Sequence, residues 1–211
     1  MIAPPERSDE RDAAVDALLP NVPFDGWTYR ALRNGLAASS ADPRDAESLF
    51  PGGASDMIAA YCDLADRRME SGSTALELGS MRIPGRIRAV IALRLSQNRP
   101  HKEAIRRAPA ALTLPGNAGT AAAGTARTVD AIWHTAGDRS ADISWYTKRA
   151  ILAGVYSATL LYWLRDASED DADTLAFLDR RLADVGRITS LRRRVESIFR
   201  RFVPSALRDA E

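Results

Sequence analysis

Apolar residues recur every three to four positions along most of the chain, and no segment alternates with period two for long enough to make a strand. The pattern predicts an all-α protein. Ala13, Val15, Leu18 and Leu19 mark a helix over 9–19, ended by Pro20 and Pro23. "PFDGW" reads as a turn, with Gly26 supplying backbone freedom. Thr28 is a suitable N-cap for a helix to about Ala38, apolar at Ala31, Leu32, Gly35 and Leu36. Pro43 then opens a short helix through Leu49, and Ser55-Asp56 cap another to about Met69. Three short helices followed by a longer one, with a tight turn between the second and third, form a helix-turn-helix pattern. Further helices are predicted near 84–98, 101–112, 118–136, 143–165, 171–185 and 187–203. The expected organisation is a disordered stretch 1–7, a helix-turn-helix domain 8–70, a larger helical domain 71–186, and a basic helix and tail 187–211.

The run from Ala150 to Leu164 carries no charge, and its apolar residues fall all round the helical wheel. Such a helix is buried in a large core or lies against lipid. Its 15 residues are short of the ~20 needed to cross a bilayer. It reads as the central helix of a soluble domain, beside the small-residue stretch "AGTAAAGTA" (118–126), which lets helices approach closely or leaves room for a ligand. Ile151, Leu152, Val155, Tyr156, Thr159, Leu160 and Trp163 are the candidate walls of an apolar cavity. At its amino end Trp145 and Tyr146 stand beside Lys148 and Arg149. Aromatics next to charges at an emerging helix end have the composition of a contact surface, or of a core edge.

Lys plus Arg number 29 against 28 acidic residues, so any affinity for nucleic acid or membrane must come from a local cluster. Cys62 is the lone cysteine, which excludes an intramolecular disulfide and fits a reducing compartment. The amino-terminal residues resemble neither a secretory signal nor a transit peptide, and a bacterial cytoplasmic location with peripheral membrane contact is expected. His101 and His134 lack a Glu or His partner at helical spacing, so no di-iron or helical zinc site is expected. No phosphate loop or nucleophile elbow occurs. Asp138 and Asp142 form a carboxylate pair or, in the commoner role of Asp before a helix, caps. No catalytic role is expected for any residue.

Two positive signals remain. In the helix-turn-helix, the segment at the recognition position holds Asp42, Asp45 and Glu47 against Arg44, which DNA phosphate would repel. Near the carboxyl end, Ile188, Leu191, Val195, Ile198, Phe199 and Phe202 make one apolar face. Arg187, Arg192, Arg193, Arg194, Arg200 and Arg201 surround it, with Glu196 the only acid. A basic amphipathic helix of this kind lies in an anionic membrane interface, docks on the protein body, or forms a dimer contact.

Residues 136–185 resemble the Coq-nine family of lipid-binding accessory proteins of ubiquinone biosynthesis. The resemblance rests on Ala136-Gly137-Asp138, Asp142, Trp145-Tyr146-Thr147, Lys148-Arg149, Asp166-Ala167-Ser168 and Thr174 to Leu178. "LFPGGASDMI" (49–58), "MRIPGRIRAVIALRL" (81–95) and "VDAIWHTAGD" (129–138) extend it to most of the chain. It implies a TetR-like all-α fold whose helix-turn-helix no longer serves DNA, and an apolar pocket for an isoprenoid quinone precursor or other lipid. It also implies a surface at Asp142, Trp145, Tyr146 and Arg149 that contacts demethoxyubiquinone hydroxylase. A terminal helix, here Leu191, Arg192, Arg193, Arg194, Val195, Ile198, Phe199, Arg200, Arg201 and Phe202, would reach the membrane. The partners expected are therefore the lipid, the hydroxylase, the membrane surface and a second copy of the chain, with no nucleic acid and no cofactor. The alternatives are a TetR-type ligand-responsive regulator and a scaffold without ligand.

Overall fold

In a computed structural model, residues 3–112, 117–137 and 144–202 are described, the last fifteen of them and positions 118, 144 and 145 as helix backbone only. Ten helices run through these residues: α1 (Asp9–Leu18), α2 (Val22–Asp25), α3 (Tyr29–Ala38), α4 (Ala46–Leu49), α5 (Ala54–Gly72), α6 (Ile83–Asn98), α7 (Lys102–Leu112), α8 (Ala118–Thr135), α9 (Ser144–Trp163) and α10 (Ala172–Phe202). No strand occurs among the described residues, as the apolar periodicity predicted.

Local chemistry sets the helix starts. Ser8 Oγ accepts from Arg11 N at 3.1 Å, and Asp9, Glu10 and Asp12 place negative charge against the α1 dipole. Thr28 Oγ1 accepts from Ala31 N at 3.2 Å to start α3. The recognition segment opens at Asp42, whose carboxylate accepts from Arg44 N at 2.9 Å, and runs as a 3-10 turn over Pro43–Asp45 into the single turn of α4. At Gly35 the α1 and α3 backbones come so close that a Cβ would stand 2.1 Å from the Ala17 carbonyl oxygen, so only glycine fits there.

Two apolar cores result. The first gathers Val15, Leu18, Leu32, Leu36, Phe50, Met57 and Leu64 from α1, α3 and α5 with the α4–α5 turn. The second gathers Met69, Val90, Ile91, Ile132, Trp163 and Leu178 from α5, α6, α8, α9 and α10. Helix α5 belongs to both. Trp27 Nε1 donates to the Ala104 carbonyl of α7 at 3.0 Å and ties the first half to the second, while within the first half Arg67 of α5 grips Asp12 of α1 with bonds of 2.8 and 2.6 Å.

The structure departs from the sequence reading in four places. Helix α5 starts at Ala54 with Gly53 at its N-cap, so Ser55 and Asp56 lie inside its first turn rather than capping it. The "PFDGW" turn contains one helical turn, α2, before Gly26 at φ +71°. The helices expected at 171–185 and 187–203 are one helix, α10, because a lone Gly186 costs ~1 kcal/mol against Ala and nothing caps a break there. Finally, α9 is not buried on all sides: it rests on α6, α8 and α10 and leaves one apolar face uncovered.

Candidate functional site: the two faces of the central helix

Leu152, Val155, Tyr156, Thr159 and Trp163 step by three and four along α9, so they share one face, and all five are buried in the second core. Thr159 returns its hydroxyl to the Val155 carbonyl at 2.7 Å, which lets a polar residue sit there fully enclosed. Leu160 packs half-buried at the margin of this core. Ile151 lies apart from them, 40% exposed, on the face that also carries Leu161 (61%) and Tyr162 (37%). The seven candidate cavity walls therefore divide between a packed face and an open one.

Two grooves lie among the described residues, and none of those seven residues lines either. One, of about 570 Å³, opens on the uncovered side of α9 between Ala158, Leu161, Tyr162 and Arg165 and the α10 residues Asp173 and Phe177. Tyr162 and Phe177 stack in it with centroids 4.6 Å apart and planes 10° from parallel. The other, about 360 Å³, runs between α6 and α10 over Ala89, Leu93 and Leu175, with Arg99 and Asp170 on its rim. The α9–α10 connection beside the first groove is tied by Asp166. Its carboxylate accepts from Ser168 N at 2.8 Å, Thr174 N at 2.9 Å and the Thr174 hydroxyl. Burial opposes the ionised form, but these bonds outweigh it and hold Asp166 well below the usual carboxylate range. The Asp-Ala-Ser and Thr174 pattern seen in the sequence is thus a capping device for α10.

Sequence reasoning missed a polar cluster inside the second core. Arg94 of α6 stands 3.0 Å from Asp66 of α5, and its Nε donates to the Tyr156 hydroxyl of α9 at 2.9 Å. Thr128 of α8 accepts from Arg94 at 3.5 Å and donates to Asp66 at 3.0 Å. Asn98 closes the group by donating to the Arg94 carbonyl at 2.7 Å and accepting from the Tyr61 hydroxyl. Burial pushes Asp66 up to about 6, with the Arg94 charge and the Thr128 bond pulling the other way. A signal was available: Ile87, Val90, Ile91, Arg94, Leu95 and Asn98 share one face of α6, so Arg94 interrupts an otherwise apolar stripe.

At the amino end of α9, Tyr146 is 74% exposed. Arg149 is half-buried and its Nε donates to Asp130 of α8, while the Lys148 ammonium lies 5.9 Å from the Trp133 ring centroid. Tyr146, Lys148, Arg149 and Trp133 therefore belong to one end of the α8–α9 pair. Asp142 and the Trp145 side chain lie outside the described residues. So do the side chains of Leu191, Arg192, Arg193, Arg194, Val195, Ile198, Phe199, Arg200, Arg201 and Phe202, although the α10 backbone continues as helix to Phe202.

On the helix-turn-helix face, the arginines that would meet phosphate are engaged by acids. Arg30 pairs with Asp25 at 3.2 Å, Arg44 with Asp42 at 3.5 Å, and Arg33 with Glu47. Among the described residues no cluster of three His, Cys, Asp or Glu side chains is placed to hold a metal, and no helix is long and apolar enough to cross a membrane.

The fold is that of the TetR-type helical proteins. A TetR transcriptional regulator from Nitrosomonas europaea superposes with a TM-score of 0.67, at 22% identity, over 83% of this chain and 97% of its own. Sequence narrows the class further. The COQ9 family model matches residues 118–189, which span α8, α9 and more than half of α10. "Ubiquinone biosynthesis protein COQ9, mitochondrial" of Rattus norvegicus is 34% identical over 193 residues, covering 87% of this chain and 61% of that protein. Its Schizosaccharomyces pombe counterpart is 30% identical over 185 residues, covering 88% of this chain and 73% of that one. The chain belongs to the COQ9 family. It spans about 60% of the length of the vertebrate relatives it matches.

Proposed function

We propose that this chain is a non-catalytic accessory protein of ubiquinone biosynthesis. It binds a polyprenyl quinone precursor or a similar lipid and presents it, at the membrane surface, to a demethoxyubiquinone hydroxylase. The relatives' name supports the pathway. The observation that carries the binding role is the uncharged stretch of α9 from Ala150 onward, with an open apolar face, Ile151, Leu161 and Tyr162, beside a groove of about 570 Å³ floored by a stacked aromatic pair. An isoprenoid tail gains ~0.8 kcal/mol per CH₂ removed from water, so a groove of this kind lowers the cost of lifting such a molecule from the bilayer. The buried α9 residues Leu152, Val155, Tyr156, Thr159, Leu160 and Trp163 back this face and would line a cavity only if the second core opens.

On this reading Asp142, Trp145, Tyr146 and Arg149 form the hydroxylase contact, and Leu191 to Phe202 hold the protein peripherally at the inner membrane. The open α9 face also supports a homodimer, since a second copy would cover what one chain leaves exposed. The test is mass spectrometry of lipid extracted from purified protein, with Leu161→Glu as control. Quinone-precursor lipid in the unaltered chain and its loss in the variant are expected. Recovery of no lipid would refute the binding role, and removal of residues 187–211 without loss of anionic-vesicle binding would refute the membrane role. A ligand-responsive regulator remains the second reading because of the fold likeness; a band shift at low salt would favour it.

A further inference from the structure

The two arginines that are buried among the described residues meet carboxylates: Arg11 reaches Asp56 at 2.6 Å and Arg94 reaches Asp66 at 3.0 Å. Arg127 of α8 breaks the pattern. Among the described residues its Nε and Nη2 are buried without an acceptor, and Nη1 alone reaches a partner, the Ala3 carbonyl at 3.4 Å. Nε–H and Nη2–H lie on the same edge of a guanidinium, the fork that takes two oxygens of one oxyanion side-on. Arg7 and Arg88 use that same edge on Asp63 and Asp179. A charged donor pair is costly to leave unmatched out of water, so a buried fork without a protein acceptor points to a ligand.

Space for one lies on the same helix face. Gly124, one turn before Arg127, is buried, yet a Cβ there would meet nothing within 4 Å. Long side chains on a helix lean toward its amino end, which carries Arg127 over that position. The opposite wall is α5, where burial pushes the Cys62 thiol up to about 11, with the Arg94 and Arg127 charges opposing. The nearby carboxylates are occupied: Asp66 by Arg94 and Thr128, and Asp63 by Arg7 and Arg67. The Arg7–Asp63 pair also fixes the segment Ala3–Ser8 over α5, bringing the Ala3 carbonyl onto Arg127.

We propose that the Arg127 fork and the space beside Gly124 form a binding site for the carboxylate or phosphate group of a small ligand, covered by the amino-terminal segment Ala3–Ser8. It is separate from the open face of α9 and does not depend on the lipid reading. Isothermal titration of the full chain with inorganic phosphate, acetate and oleate tests it, beside Arg127→Gln, Arg127→Lys and Gly124→Leu.

At least one probe should bind the unaltered chain, and Arg127→Gln should weaken that binding at least tenfold. Arg127→Lys, which keeps the charge but loses the fork, should weaken it as well. Gly124→Leu, which fills the space and leaves the arginine in place, should also weaken it. That result separates a built site from general attraction to a positive charge. Binding of phosphate or acetate would assign the site to a free anion; binding of oleate alone would assign it to the head group of an anionic lipid. Circular dichroism checks each variant's fold, and if one fails to fold the other two decide. Absence of binding by all three probes overturns the proposal, as does binding that every folded variant retains.

Discussion

Replacing Arg94 with alanine isolates the largest electrostatic commitment in the second core. The substitution removes the 3.0 Å ion pair with Asp66, the 2.9 Å bond to Tyr156 and the weaker 3.5 Å bond to Thr128. It also leaves Asp66 enclosed with Thr128 as its remaining partner. Breaking a buried pair from one side costs ~3–5 kcal/mol, most of it the uncompensated charge left behind. In a chain of this size that lowers Tm on the order of 10 °C. Urea denaturation at pH 7.5 should show this loss in Arg94→Ala. The double variant Arg94→Met/Asp66→Leu should recover most of it, because removing both charges removes the penalty.

The pH dependence has a definite sign. Asp66 titrates near 6 in the folded chain and at ~3.9 when unfolded. Its contribution to stability is therefore full below ~3.9 and is lost as pH rises through about 6. Without Arg94 the carboxyl moves higher still, so the deficit of Arg94→Ala should shrink between pH 7.5 and 5. His101, whose pKa burial lowers, acts in the opposite sense over part of this range. Asp66→Asn is therefore the reference against which the pH profile is compared. A loss below ~1 kcal/mol, or a deficit equal at both pH values, would show that the pair is solvated and that the core is not closed around it.

Three other substitutions probe separate features. Gly35→Ala should cost ~2–3 kcal/mol by driving α1 and α3 apart, read as a lower urea midpoint, because its Cβ would stand 2.1 Å from the Ala17 oxygen. Gly186→Ala should raise the circular dichroism signal at 222 nm, since Gly disfavours a helix interior by ~1 kcal/mol against Ala and α10 runs straight through that position; a reduced signal would mean that the helix breaks there. Tyr146→Ala should leave Tm within a few degrees, because the ring is mostly exposed, and should weaken pull-down of the hydroxylase proposed as its partner; a large loss of stability with pull-down retained would return the ring to the core.

Helix starts were legible where a single residue decides them. Thr28 and Pro43 each satisfy or remove an amide at a helix start, and such chemistry is local in sequence. The four-residue α2 was not legible, because one turn is too short to show a period. Nor was the orientation of α9 beyond Arg149: its run from Ala150 has no charged residue to mark the outward side, so Leu161 and Leu152 look alike until their neighbours are known. The polar cluster was hidden for another reason. Asp66, Arg94, Thr128 and Tyr156 stand on four helices spread over ninety residues, and only packing brings them together. The reverse holds for the aromatic patch, where Tyr146, Lys148 and Arg149 are close in sequence and stay close in space.

Because α5 contributes Met57 and Leu64 to one core and Met69 to the other, neither half of the molecule owns it. Cutting the chain anywhere between 54 and 72 would strip one half of an inner wall and expose apolar side chains on both fragments. A clone of the helix-turn-helix half, or of the COQ9-matching half, would stay monodisperse only if it carried the whole of α5, and the two clones would then duplicate that helix. Grafting this amino-terminal half onto another protein, or exchanging it for that of a working DNA-binding regulator, would therefore require redesigning the seam residue by residue. In calorimetry the intact chain should melt in one step, not two, since no single half retains a complete interior after the other has gone.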